Sequence, residues 1–362
     1  MKRLILLFSL SLFLISGYGA KPHISFFCEL QRKEFNALFA DSALINELVE
    51  MQVYLRIGLH DFSPERTTTI QRLNQAGIPL VAWLLLPEED GYWFNMHNGG
   101  KAEKRYADFK KWTEENHLEW AGIGIDIEPD MKDGKLAFSH PWQLAWKVYK
   151  RLYDNKSLKA GLALYQKLID SMKADGYVVE SYMIPFLYEE RAKKTTSLQK
   201  LMGIVDLETD SEIPMLYTSA LDNPGIIPLY HRDKMPIALG STGGGVKVEG
   251  VELAAISWDK LERDLLIASK LTDKIHIFCL ETSVQKGFLA KIKNLDFDQK
   301  APDIRAETKK QSKTNGVIRF ILVILDHPFW FTLAVLAIIS SIIFGIYKLF
   351  AALIGKFLRK KV

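Results

Sequence analysis

The sequence has little cysteine: Cys28 and Cys279 are the only two in 362 residues. Two thiols exclude the disulfide-dense class of small secreted scaffold, which depends on several bridges. There is no glycine-rich dinucleotide fingerprint after the first strand-like run, which argues against an open, doubly wound nucleotide-binding sheet. No cluster has zinc- or calcium-ligand spacing, His60 and His97 included, so neither a metal nor any other cofactor is expected. Excess charge of one sign is small. The 47 Lys and Arg against 43 Asp and Glu leave +4, part of it at the two ends, and no basic stripe suggests a nucleic-acid partner. Internal repeats and low-complexity tracts are also missing.

Apolar residues, by contrast, are concentrated at both ends. Residues 1–20 combine Lys2 and Arg3, an apolar core at 4–15 and small residues up to Ala20. That is the pattern of a cleaved secretory signal peptide, and its core is shorter than the roughly 20 residues a bilayer requires. Residues 329–353 are apolar, with Lys348 near the inner edge, and are long enough for one transmembrane helix. The basic tail at 354–362 marks a cytoplasmic side. The expectation is a single-pass membrane protein, its folded part periplasmic or extracellular and its C-terminus cytoplasmic. Arg319 and the Asp326-His327-Pro328 break make 317–328 an interfacial segment rather than a second span. Residues 299–316 are polar and lysine-rich, and read as a flexible linker or stalk.

That leaves 21–298 as one globular domain, a length typical of an α/β barrel. Strand-like runs fall at 23–29, 53–59, 79–86, 122–128, 177–186, 213–219, 235–240 and 274–281. Amphipathic helical stretches separate most of them, at 31–51, 66–76, 101–117, 142–175, 189–206 and 253–271. The connection at 223–234 shows no convincing helix. Eight near-continuous apolar strands joined by helices predict a (β/α)8 TIM barrel, its sheet buried on both faces.

In such a barrel the chemistry sits at the C-terminal ends of the strands. Polar residues there include Glu29, His60, Asp61, Asp126, Glu128, Tyr217 and Glu281, with the aromatic stretch Tyr92-Trp93-Phe94 after the third strand. Asp126 and Glu128 are two apart on one strand, so they share a face, while Ile125 and Ile127 take the other. Two carboxylates side by side cannot both ionise cheaply, so one is pushed toward the raised pKa that a general acid needs near neutral pH. The alternative is a solvated pair in the loop after the strand. Trp93 offers a face for stacking on sugar, or packs as a lid over the barrel mouth. Strand parity sets Glu29 opposite Cys28 and Glu281 beside Cys279, which favours free buried thiols over a bridge.

The run Trp120-Ala121-Gly122-Ile123-Gly124-Ile125-Asp126-Ile127-Glu128 resembles the fourth-strand signature of glycoside hydrolase family 18, the chitinase-like barrels. That signature is Asp-Gly-x-Asp-x-Asp-x-Glu. Gly122, Asp126 and Glu128 are kept, and Ala121 and Gly124 replace two acids. Met215-Leu216-Tyr217-Thr218 is similar to the family's Met-x-Tyr-Asp, with Thr218 for the Asp. The last-strand Trp of the family has no evident counterpart at 276–281. The resemblance implies substrate-assisted hydrolysis of an N-acetylhexosamine glycan. Glu128 would be the proton donor, Asp126 would orient the acetamide and Tyr217 would hydrogen-bond it. A weaker similarity is to the lysozyme-like barrels of family 25, where Glu29 and Glu281 would stand for acids on the first and last strands. The seventh strand has no carboxylate, which disfavours the common two-Glu retaining arrangement. Two other readings stand beside this one. One is a catalytically inactive glycan-binding or assembly barrel. The other is a phosphosugar-binding barrel that uses Gly240-Ser241-Thr242-Gly243-Gly244-Gly245.

Overall fold

The computed structural model describes residues 21–233, 235–244 and 255–359, with side chains up to 348. The expected signal peptide at 1–20 lies outside the described residues, as do 245–254 and the last three residues of the basic tail. Eight strands form one sheet: β1 (His23–Cys28), β2 (Tyr54–Leu59), β3 (Leu80–Leu84), β4 (Gly122–Asp126), β5 (Val179–Met183), β6 (Ser211–Pro214), β7 (Ile237–Gly240) and β8 (Lys274–Phe278). Their order is β6-β5-β4-β3-β2-β1-β8-β7, and every pairing is parallel. The two edges meet through a single bridge between Met215 and Ala238, where the Leu216 N–H donates to the Ala238 carbonyl at 2.8 Å. The barrel is therefore nearly closed, as the strand–helix alternation predicts.

Strand alternation divides the apolar residues into two cores. Residues such as Leu55, Ile57, Ile123 and Ile125 point outward and pack beneath the helices. Phe27, Trp83, Tyr182, Ile213 and Phe278 point inward and fill the barrel. Deeper inside, Arg56 of β2 reaches Glu180 of β5 through two hydrogen bonds of 2.6 and 2.9 Å. The Tyr182 hydroxyl donates to the same carboxylate at 2.7 Å. Bidentate pairing and a third donor are what let a buried charge pair stand in a dry interior.

The connections differ from the sequence reading in several places; the stretches at 31–51 and 189–206 each hold two helices rather than one. The stretch at 142–175 is two helices, Pro141–Arg151 and Asn155–Ala174, because Asp154 breaks the run and caps the second by accepting from the Ser157 N–H at 2.9 Å. The 223–234 connection holds one short helical turn, Ile226–Tyr230. The polar stretch at 299–316, expected as a flexible linker, is largely part of helix Arg305–Leu325, which is docked on the barrel. Its polar residues are what seat it. Gln311 accepts from Asn223 at 2.9 Å, Asn315 accepts from the Tyr230 hydroxyl at 3.0 Å, and Arg319 pairs with buried Glu189. Polarity along this stretch signalled buried partners, not solvent. The final helix, Pro328–Arg359, contains a stretch from Pro328 to Lys348 with mean hydropathy 2.4, long and apolar enough to cross a membrane.

Candidate active site

The strands bring acids together at their C-terminal ends. Asp126 closes β4 on its inward face, and Glu128 follows two residues later on the same face. The chain stays extended there because the Ile127 N–H reaches Tyr182 and the Glu128 N–H reaches Phe94 at 3.2 Å. Glu29 follows β1. Glu281 lies in the first turn of helix Leu280–Gln285, just beyond β8, and its Oε1 accepts from the Glu29 N–H at 3.4 Å. The loop after β3 lays Tyr92 across the opening, where its hydroxyl donates to Glu29 Oε1 at 2.7 Å. Tyr92 has φ +67°, a costly conformation for an aromatic residue. It is held by that bond and by the Leu86 N–H donating to its carbonyl at 2.8 Å.

Burial shapes the acidity of the cluster. Asp126 is 3% exposed and its Oδ1 has no hydrogen-bond partner among the described residues. Burial, then the neighbouring Glu128 and Glu29 carboxylates, push it well above the usual carboxylate range, with Trp83 opposing the rise. Glu128 keeps a little solvent access but is walled by protein on its inner side, and burial raises it to about 7. Burial also raises Glu281, while its own backbone N–H and the adjacent Cys279 act against the rise; its Oε2 is buried without a hydrogen bond among the described residues. Among the described residues no Lys or Arg forms an ion pair with Asp126, Glu128 or Glu281, so no neighbouring cation offsets the cost of charging them.

Tyr217 follows β6 and stacks on Phe278 with ring centroids 5.9 Å apart. Its hydroxyl is pushed up by burial and then by the charges of Asp126, Glu128 and Glu29. Trp93 packs edge-on to Tyr92 at 5.1 Å and keeps part of its surface open. Phe94, by contrast, turns away into the outer core. All six residues singled out from the sequence therefore lie at one end of the barrel.

Sequence reasoning missed the supporting residues Tyr182 and Trp83, and it placed Tyr92 and His60 at the strand ends without their partners. Inward parity on β3 and β5 was the available signal for Trp83 and Tyr182. His60 bonds the Glu29 carbonyl at 3.3 Å and is held near pKa 4, neutral at ordinary pH, by burial and by Arg66. Arg66, fully buried, ties the ends of β1 and β2 together through the Leu30 and Gly58 carbonyls and Asp61.

Two departures from the chitinase-like signature have visible causes. A side chain at Gly124 has no room, because an added Cβ would sit 2.1 Å from the Tyr182 hydroxyl. Thr218 turns from the mouth to bond buried Asp264. The cysteines are free and buried. In the loop after β7 the amides of Ser241, Thr242 and Gly243 donate to Ser219, Phe278 and Ser241. These three amides offer no row of open donors for a phosphate; the loop beyond Gly244 lies outside the described residues.

No family model matches the sequence, and no curated protein matches it. Among solved structures, the chain is similar to ScGas2 in complex with a compound, with 10% identity over 81% of this chain and 71% of that one and a TM-score of 0.39. Saccharomyces cerevisiae Gas2p in complex with laminaritriose and laminaritetraose aligns at 9% identity over 72% and 57%, with a TM-score of 0.37. A D-psicose 3-epimerase in the presence of D-fructose aligns at 13% identity over 83% and 99%, with a TM-score of 0.38. At such scores the likenesses carry no argument; the fold rests on the strand order.

Proposed function

We propose that the protein is a membrane-anchored glycoside hydrolase that cleaves an N-acetylhexosamine-containing glycan outside the cytoplasm. The observation that carries this reading is the Asp126–Glu128 pair: inward-facing, without a basic partner among the described residues, and at the barrel end where such enzymes act. Glu128, the more open of the two, is the proton donor to the glycosidic oxygen. A carboxyl near 7 holds its proton at neutral pH and yields it readily. Asp126 orients the substrate acetamide by accepting a hydrogen bond from its N–H as the acetamide carbonyl oxygen closes on the anomeric carbon. Tyr217 steadies the same group. Trp93 supplies a partly open ring for a sugar face. The choice of an amino sugar over a plain hexose rests on the similarity of the Asp126–Glu128 and Met215–Tyr217 segments to the chitinase-like family. The hydrophobic stretch 328–348 is the anchor.

A second reading, a glycan-binding barrel without turnover, is favoured by one observation. Tyr182 fills the space where the chitinase-like signature carries another acid. Incubation with chitin oligosaccharides, peptidoglycan fragments and N-glycans, read by mass spectrometry, separates the two. Shortened products from the parent chain and not from Glu128→Gln support hydrolysis. Binding without shortened products supports the second reading.

A further inference from the structure

Helix Pro141–Arg151 is unusual for its exposed aromatic residues. Trp142 is 86% exposed, Trp146 59%, and Phe138, just before the helix, 57%. Trp142, Trp146 and Tyr149 are spaced by four and three within this helix and so share one face, and Tyr153, in the turn just beyond it, continues the stripe by packing on Tyr149. The stripe is ordered within itself. Trp146 stacks on Tyr149 and Tyr149 packs on Tyr153, each with centroids 5.5 Å apart, and Lys150 lies 5.1 Å over the Trp146 ring. Its lower end touches the final helix. The hydroxyls of Tyr149 and Tyr153 lie 3.0 and 3.1 Å from Thr332 Oγ1, in the first turns of the stretch that is long enough to cross a membrane. Lys150 and Lys156 are exposed nearby, and Trp330 is 68% exposed at the start of that stretch.

We propose that this aromatic stripe lies in the headgroup interface of the bilayer that residues 328–348 cross, a second contact that fixes the tilt of the barrel on the membrane. This rests on the reading of 328–348 as a span. Three features choose a lipid surface as the occupant. The stripe is continuous with the span through Thr332. Its composition is the Trp and Tyr that concentrate at headgroup depth, where an apolar ring and a polar edge are both satisfied. Exposed lysines flank it, as on helices that lie on anionic lipid.

The test uses the full chain reconstituted in phosphatidylcholine–phosphatidylglycerol vesicles. An environment-sensitive fluorophore is attached at Trp142→Cys, at Ile338→Cys or at Lys33→Cys; the two native thiols are buried. Nitroxide lipids quench at shallow or deep positions. The proposal predicts that the label at 142 is quenched about twofold more by shallow than by deep nitroxide, that 338 shows the opposite preference, and that 33 is not quenched. Quenching at 338 with 142 as unaffected as 33 overturns the proposal while the span stands. A label at 142 shielded from aqueous iodide yet beyond the reach of every nitroxide lipid means that protein covers the stripe, which also overturns it. No quenching at 338 removes the span, and the proposal with it. Sugar release, measured on the unlabelled chain, bears on neither result.

Discussion

Glu128 gives the clearest test at the level of one residue. Its folded-state carboxyl is pushed up to about 7 from an ordinary value of 4.5. Below pH 4.5 the folded and unfolded chains both hold the proton, and the site costs nothing extra. As pH rises from 4.5 through 7 the unfolded chain releases its proton first, so stability drains from the folded state, and it levels off above 7. Glu128→Gln has no proton to release. The variant is therefore expected to be more stable than the parent at pH 8, by about 1–3 kcal/mol after allowance for the group's solvent contact. The difference should vanish near pH 4. Urea unfolding at several pH values measures it. A constant difference, or a less stable variant at pH 8, contradicts the buried-acid description. A gain in stability at the expense of function is what a strained active site produces.

Among the elements, β4 and β5 are locked to each other inside the barrel. Gly124 leaves room for the Tyr182 ring, and that ring is fixed by its hydroxyl bond to Glu180, which Arg56 in turn holds. Gly124→Ala forces an overlap with a side chain that cannot move aside. It should cost about 2 kcal/mol, a fall of roughly 5 °C in melting temperature. Adding Tyr182→Phe removes the nearest of the overlapping atoms and the hydroxyl bond that pins the ring, so the double variant should lose less than the sum of the two single losses. Calorimetry on the four proteins decides this, and simple additivity would contradict it. Arg56→Met should be harsher, about 3–5 kcal/mol, because it strands the Glu180 carboxylate in the interior. Arg56→Met with Glu180→Leu should recover most of that loss.

At this scale the sequence was legible where period decided the outcome. Alternation along 122–128 placed Asp126 and Glu128 on the inward face, and the eight apolar runs foretold the barrel. It was not legible where long-range pairing decided. Nothing local says that Arg56 and Glu180, 124 positions apart, meet inside the barrel, or that Tyr92 crosses the mouth to Glu29. Both were visible as polar or aromatic residues, but their partners were not.

The whole molecule extends further along the chain than hydropathy suggested. The first half of helix Arg305–Leu325 was read as linker because it is polar, and the rest as an interfacial segment, yet Gln311 and Asn315 are 5% and 3% exposed and bonded to the barrel. Gly225 lies so close beneath this helix that an added Cβ would be 2.5 Å from the Glu307 backbone. A chain ending at Asp298 should therefore melt below one ending at His327, with a loss of about 2 kcal/mol or more, since it leaves Asn223, Tyr230 and Glu189 without their partners. Equal melting temperatures would return residues 305–325 to the role of a spacer. A docked helix also sets the barrel close to the start of the apolar stretch at Pro328.

The central claim is that Glu128 donates the proton in glycan cleavage. Its most direct test is the release of reducing ends from N-acetylglucosamine oligosaccharides by the full-length parent and by Glu128→Gln, followed over roughly pH 5 to 9. The account predicts that kcat/KM of the parent falls about tenfold per pH unit above 7, as Glu128 loses its proton, and that the variant is slower by about 100-fold or more at every pH. Equal rates for the two proteins, or no release by a folded parent at any pH, would contradict it.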